Sequence, residues 1–398
     1  MDSAVSAGNI TQAVVFINQV SDKTTYSITV DGVTVTDDTT NDATLSTTQV
    51  ASDLVAGLNS GLTGFTIARN GPVIHIKKND GSNFSIDGTD SQGNTQLTVV
   101  KDSVQRFTDL TTVSPNGYVV EIKGDEATNF DNYYVKFVTN NGGAFEEGQW
   151  EETVEAGIPF KFNYATMPHV LIRQADGNFR FARVDGDSYN VTVDGVTTSY
   201  TLPKWGERIV GDLVSAPNPS FIGQKINNVF FFRNRLGFLA GDNVILSTVS
   251  EFFNFFPETV LSVLDNEPID VAASHTKVAI LKHAITMGEK LILFSEQTQF
   301  VLSSSADNLT PSTANVLVQT EFESNAAAQP VGSGSSIYFL TKKGSFAGIR
   351  EYIIAGNQQI QDAANTTIHV PRLIPSGIFK MAVSNNQDIL VLLGTDNP

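Results

Sequence analysis

The 398-residue chain has no cysteine, which excludes disulfides, thiolate zinc sites, iron–sulfur clusters and cysteine nucleophiles. Its stability must come from packing or assembly. Positive charge is scarce: 25 Lys+Arg stand against 42 Asp+Glu, a formal net charge of −17. Such a surface cannot grip nucleic acid or anionic lipid by charge, although DNA can slide past it without sticking. No apolar run reaches the roughly 18 residues that a membrane-spanning helix needs, and the opening MDSAVSAGNITQ lacks the basic and apolar regions of a secretory leader. Neither export nor a membrane span is expected. Charged residues are only 17% of the chain and hydrophobic residues 41%, so the chain is folded and long enough for two or three domains.

What is present is β text. Runs of alternating apolar and polar residues, rich in Val, Ile, Thr, Phe and Tyr, are broken by Asp-Gly, Asn-Gly or Gly-Asp, and predict a mainly β protein. The clearest hairpin is YSITVDGVTVT (Tyr26 to Thr36), with a two-residue primed turn at Asp31-Gly32. A near copy, YNVTVDGVTTSYT, begins at Tyr189 with its turn at Asp194-Gly195, and reads as a second, related hairpin module. One helix is expected, over 47–59: Ser46 or Thr47 can cap it, Val50, Leu54 and Leu58 recur every four residues, and Gly61 can close it. From Asn228 onward, paired hydrophobic strands start near residues 228, 288, 335 and 387, about the period of four-stranded propeller blades. The expected organisation is a first β-hairpin module with its helix (1–110), a second β module with the repeated hairpin at 189–201 (111–227), and blades of a β-propeller (228–398) left incomplete at the C-terminus.

Motifs for chemistry are few. The five histidines, His75, His169, His275, His283 and His369, show no metal-binding spacing, and His75 and His369 are expected within strands as core or face residues. The loops NDGSN and DGTDSQGN lack the ligand spacing of an EF-hand and read as ordinary turns. Phosphate-loop and nucleophile-elbow motifs are absent. Glu146, Glu147, Glu151, Glu152 and Glu155 surround Trp150, a pattern that paired-carboxylate glycan hydrolysis can use. A charged strand margin, which keeps a sheet edge from pairing with a neighbour, explains the same cluster. No catalytic, cofactor or metal residue is therefore expected. The one compact basic motif is FRNRLGFL. Arg233 and Arg235, flanking Asn234, are expected on one strand face, partly buried, holding carboxylates such as that of Asp242, Glu251 or Asp265, or the backbone carbonyls of a neighbouring subunit. Arg233, Asn234, Arg235 and Asp242 are thus the candidate structural or subunit-contact residues.

The stretches VQRFTDLTTVSPNGYVVEIKGDEATNFDNYYVKF, GQWEETVEAG, TMPHVLIRQADGNFRF, WGERIVGDLVSAPNPSFIGQKINNVFFFRNRLGFLAGDNVILS, EFFNFFPETV and DNEPIDVAAS together resemble the tail nozzle protein, or tail tubular protein B, family of short-tailed phages. The resemblance covers roughly Tyr26 to Pro398. It implies a non-enzymatic virion protein of the tail, with a β-propeller in its fold. Six copies would form a ring next to the tail adaptor and tail fibres, with a channel through which DNA passes without specific binding. It implies no cofactor and no small-molecule substrate. Family members extend beyond this sequence at both ends, so a fragment is expected. Two other readings stay open on the residues alone: a tail-associated glycan-binding or glycan-degrading protein, resting on Trp150 and its glutamates, and a bacterial surface adhesin.

Overall fold

The computed structural model describes residues 1–2, 10–40, 44–124, 132–276, 279–305, 308–353 and 363–395. These are mainly β, with one α-helix among the described residues. They divide into two compact units, each discontinuous in sequence. The first is Met1–Lys161 with Arg208–Pro217 and Glu258–Leu261; the second is Phe162–Glu207 with Asn218–Pro257 and Ser262–Pro398.

The first unit begins with β1 (Gln12–Ile17), β2 (Thr25–Val30), β3 (Val33–Asp38), α1 (Thr47–Gly61), β4 (Phe65–Asn70), β5 (Val73–Lys78), β6 (Ile86–Asp90) and β7 (Leu97–Val100). They form two antiparallel sheets, ordered β4-β5-β1-β7 and β3-β2-β6. The turn between β2 and β3 falls on Asp31 (φ 45°) and Gly32 (φ 83°), the left-handed pair that matches the twist of the flanking strands. Alternation then sends Tyr26, Ile28 and Val30 into the core, all fully buried. Onto this face α1 lays Val50, Leu54 and Leu58, the stripe expected from their spacing. Gly57 is what permits the close crossing, because a Cβ there would lie 2.3 Å from Val35 Cγ1. Both expected caps differ. Ser46 occupies the N-cap position, but its hydroxyl makes no capping bond. Gly61 is still helical, and the helix closes on Leu62 in an extended conformation, its N–H donating to the Leu58 carbonyl. The unit continues with β8 (Ser103–Val104), β9 (Val113–Pro115), β10 (Val119–Ile122), β11 (Tyr133–Thr139) and β12 (Phe145–Thr153), in the order β8-β10-β11-β12-β9.

The second unit opens with two hairpins, β13 (Val170–Arg173) with β14 (Phe179–Ala182), and β15 (Ser188–Val193) with β16 (Val196–Thr201). The second is the predicted repeat, turned at Asp194 (φ 49°) and Gly195 (φ 79°). Three antiparallel meanders follow in sequence order. They are β17 (Ile226–Phe232), β18 (Arg235–Ala240), β19 (Asn243–Leu246) and β20 (Ile269–Ala272); then β21 (His283–Met287), β22 (Lys290–Phe294), β23 (Gln299–Ser304) and β24 (Ala314–Thr320); then β25 (Val331–Ser333), β26 (Ser336–Lys343), β27 (Phe346–Ile353) and β28 (Ala363–Asn365), with β29 (Ile374–Pro375) also beside β27. A last pair is β30 (Ile378–Ser384) with β31 (Ile389–Gly394). The phase differs from expectation: β21, β25 and β30 precede the strands taken from the sequence as the starts of the later pairs. Within these meanders Phe232, Leu291, Leu293, Ile337 and Phe339 are buried, and Phe230 is half-buried against the cluster that holds Phe232, Leu291 and Leu293. Trp205, 1% exposed, sits among Phe162, Phe238, Phe253 and Phe255 with ring centroids 5.1–6.5 Å away.

Candidate functional site

The FRNR motif is a turn and not one strand face. Phe232 ends β17 and pairs with Arg235 at the start of β18. Arg233 (φ 46°) and Asn234 (φ 59°) make the two-residue connection between them. Asn tolerates this left-handed conformation and Arg adopts it less readily. Ser250 holds the turn in place: its amide donates to the Asn234 carbonyl at 3.0 Å, and Asn234 Nδ2 donates to its hydroxyl at 2.6 Å.

The two arginines consequently part company. Arg235 is 1% exposed, and its guanidinium donates to the main-chain carbonyls of Ser247 (2.7 Å), Asp265 (3.1 Å) and Glu267. The fork ties the long return loop between β19 and β20 to the start of β18. Burial alone pulls its pKa down to about 10. Arg233 is exposed, with its guanidinium 3.5 Å from the Glu289 carbonyl. The expected carboxylate partners differ likewise. Asp265 contributes its carbonyl, and Asp242 lies exposed in the turn between β18 and β19, where its carbonyl accepts the Ala273 amide at 2.8 Å.

A second buried arginine escaped the sequence reading. Arg208, also 1% exposed, donates from Nε to the Ala216 carbonyl at 2.8 Å and from its guanidinium to the Pro159 carbonyl. Its own amide donates to Phe160 O at 2.6 Å. This residue stitches the returning segment Arg208–Pro217 to the body of the first unit. The signal was there in WGERIVGD, an arginine beside Trp205 and Ile209-Val210, the same setting among apolar residues that drew attention to Arg235.

The remaining candidates are occupied by structure. Trp150 Nε1 donates to the Thr111 carbonyl at 2.8 Å, and its ring packs on Phe137 (5.0 Å) and Tyr118 (6.2 Å). Glu146 Oε1 accepts the amides of Asn141 and Gly143, closing the turn before its strand, and Glu152 accepts the Val260 amide. The DGTDSQGN loop is closed by Asp90, whose two carboxylate oxygens accept the amides of Gln92, Asn94, Gln96 and Leu97 at 2.7–3.1 Å. Of the histidines, His75 is in β5, half-buried and bonded to Gln12 at 2.8 Å, and burial lowers its pKa to about 4. His283 opens β21 and meets the Ala326 carbonyl at 2.9 Å. His169 lies just before β13, bonded to Met167 O. His275 approaches Glu321 at 3.3 Å. His369 falls in a turn instead of the expected strand, since β28 ends at Asn365.

These polar side chains close turns and anchor loops. A family model described as bacteriophage nozzle protein matches residues 1–398. The chain is 34% identical over 351 residues to tail tubular protein gp12 of Escherichia phage T7, covering 88% of this chain and 41% of that relative. It thus spans about two fifths of the length of the curated relative it matches. The chain belongs to the bacteriophage nozzle protein family.

Proposed function

We propose that this chain forms part of a homohexameric ring in the virion tail, a conduit through which DNA is ejected into the host. Membership of the nozzle family along residues 1–398 is the observation that carries the reading. The net charge of −17 supports it, because a negative wall lets DNA move without adhering. The successive antiparallel meanders from β17 onward support a β-propeller, of which they would be blades. On this reading the segments 1–110, 111–227 and 228–398 act as first module, second module and propeller. The tail adaptor and tail fibres are its neighbours, and no small-molecule substrate is turned over. On the same reading Arg235 and Asn234 hold the architecture, and Arg233 and Asp242, both exposed, would contact a neighbouring subunit. The roles of Trp150 in packing and Glu146 in turn closure favour a structural part over glycan hydrolysis.

Electron microscopy of the full-length protein with its tail partners tests the reading. A six-fold ring with an axial channel is expected. Monomers that bind no tail component would refute it, and polysaccharide cleavage lost on Glu146→Gln with folding intact would replace it with an enzyme.

A further inference from the structure

Two apolar surfaces of the chain are left bare, and their chemistry is complementary. The first is a knuckle in the loop Asp212–Ala216. Asp212 Oδ1 accepts the amides of Val214 (2.8 Å) and Ser215 (2.7 Å) and the Ser215 hydroxyl (2.9 Å), and the Ser215 hydroxyl accepts the Asp212 amide at 3.0 Å. This lattice fixes the loop while leaving Leu213 47% and Val214 84% exposed. The rim of the knuckle is negative: Asp212 lies near Glu155 and Glu121 around Tyr134, whose hydroxyl pKa is pushed up by burial first and by those three carboxylates next.

The second surface is the outer face of the β13–β14 hairpin. Leu171 stands opposite Phe181, and Arg173 opposite Phe179, so all four share one face. Leu171, Phe179 and Phe181 are 65%, 64% and 71% exposed, and Arg173 is exposed beside them. His169 stacks on Phe181 with ring centroids 5.2 Å apart. Aromatic rings bordered by arginine are the composition of interface hot spots.

We propose that the Leu213–Val214 knuckle of one copy docks on the Leu171–Arg173–Phe179–Phe181 face of a second copy of this chain. Apolar side chains meet apolar side chains at the centre, and the acidic rim meets Arg173. In a chain with 42 acidic and 25 basic residues, a basic apolar face selects an acidic apolar partner, and the chain itself supplies one. The contact is heterologous, head to tail, which generates a closed ring when the rotation per copy closes. The inference rests on the ring reading above and names the surfaces that would close it.

Phe181→Asp removes the face and Val214→Asp removes the knuckle. Each variant of the full-length protein is expected to melt as the unaltered protein does and to sediment as a monomer at concentrations tenfold above those at which the unaltered protein assembles. An equal mixture should give dimers and nothing larger, because one intact knuckle then meets one intact face. Phe181→Ser and Val214→Ser read the same contact if a carboxylate impairs folding. Rings from either single variant, or mixtures that stay monomeric while both variants melt normally, would overturn the docking. An unaltered protein that never assembles, alone or with tail partners, would instead overturn the ring.

Discussion

The hairpins β2–β3 and β15–β16 share a turn of nearly the same angles and the same cross-strand threonine pair, with Oγ1 atoms 2.9 Å apart at Thr29–Thr34 and at Thr192–Thr197. Their surroundings differ. In the first, Tyr26, Ile28 and Val30 are fully buried beneath α1, and β6 pairs along the edge of β2. In the second, only Val191 of the corresponding residues is buried; Val193 is 37% and Val196 67% exposed, and no third strand joins the sheet among the described residues. Local text therefore sets the turn and the register, while burial depends on whether another part of the chain reaches the face. The FRNR turn repeats the lesson on a smaller scale: one arginine of the pair is sunk among carbonyls and the other faces solvent.

The largest expected break in symmetry lies in that pair. Arg235→Ala takes the guanidinium donor from the buried carbonyls of Ser247 and Glu267 and from the half-buried one of Asp265, and should lower stability by about 3–5 kcal/mol, whereas Arg233→Ala should stay within about 0.5 kcal/mol, as read by urea unfolding. Lysine at 235 should rescue little, since an ammonium cannot reproduce the planar fork.

Acid should act next on the first unit, through His75. Unfolded His75 takes up a proton near its ordinary pKa of 6.5, while folded His75 resists protonation until about pH 4. Between these values the unfolded state binds more protons, so stability falls as pH falls, by roughly 3 kcal/mol across the window. Melts of the unaltered protein and of His75→Gln at pH 7 and pH 4.5 check this. The variant should lose less on acidification, and parallel losses would show that His75 is not the source.

The mildest contrast is the most direct one. Val30→Ala and Val193→Ala are the same change at equivalent hairpin positions. The first should cost about 2 kcal/mol by emptying the core beneath α1, and the second less than about 0.5 kcal/mol. Equal losses would mean that the second hairpin is covered in solution.

What was legible follows from range. Asp-Gly turns, strand alternation and the four-residue stripe of α1 are local patterns, and all three are found where the sequence puts them. The Arg233-Asn234 turn is hidden because it uses neither Gly nor Asp at positions of positive φ, so FFRNRL resembles an uninterrupted strand. The strands β21 and β25 were missed because HAITM and VGS are short and carry little alternation. Arg208 and Trp205 lie in a stretch without periodicity, and contacts with distant segments help to bury them. The polar network of Asp90 was likewise opaque, since a loop closed on its own carboxylate has the composition of any Asp/Asn/Gly turn.

The interrupted sequence of the first unit sets an order on synthesis. Each meander from β17 onward pairs strands that are neighbours in the chain, so it can form soon after it leaves the ribosome. The first unit cannot finish so early: Met1–Lys161 waits for Arg208 to reach back to Pro159, and then for Glu258–Leu261 to return. Until then the surface awaiting those segments stays exposed in a partly folded chain, which is the state most open to misassembly. Both surface hairpins and the strands β17 to β19 of the first meander therefore emerge while the N-terminal unit is still open.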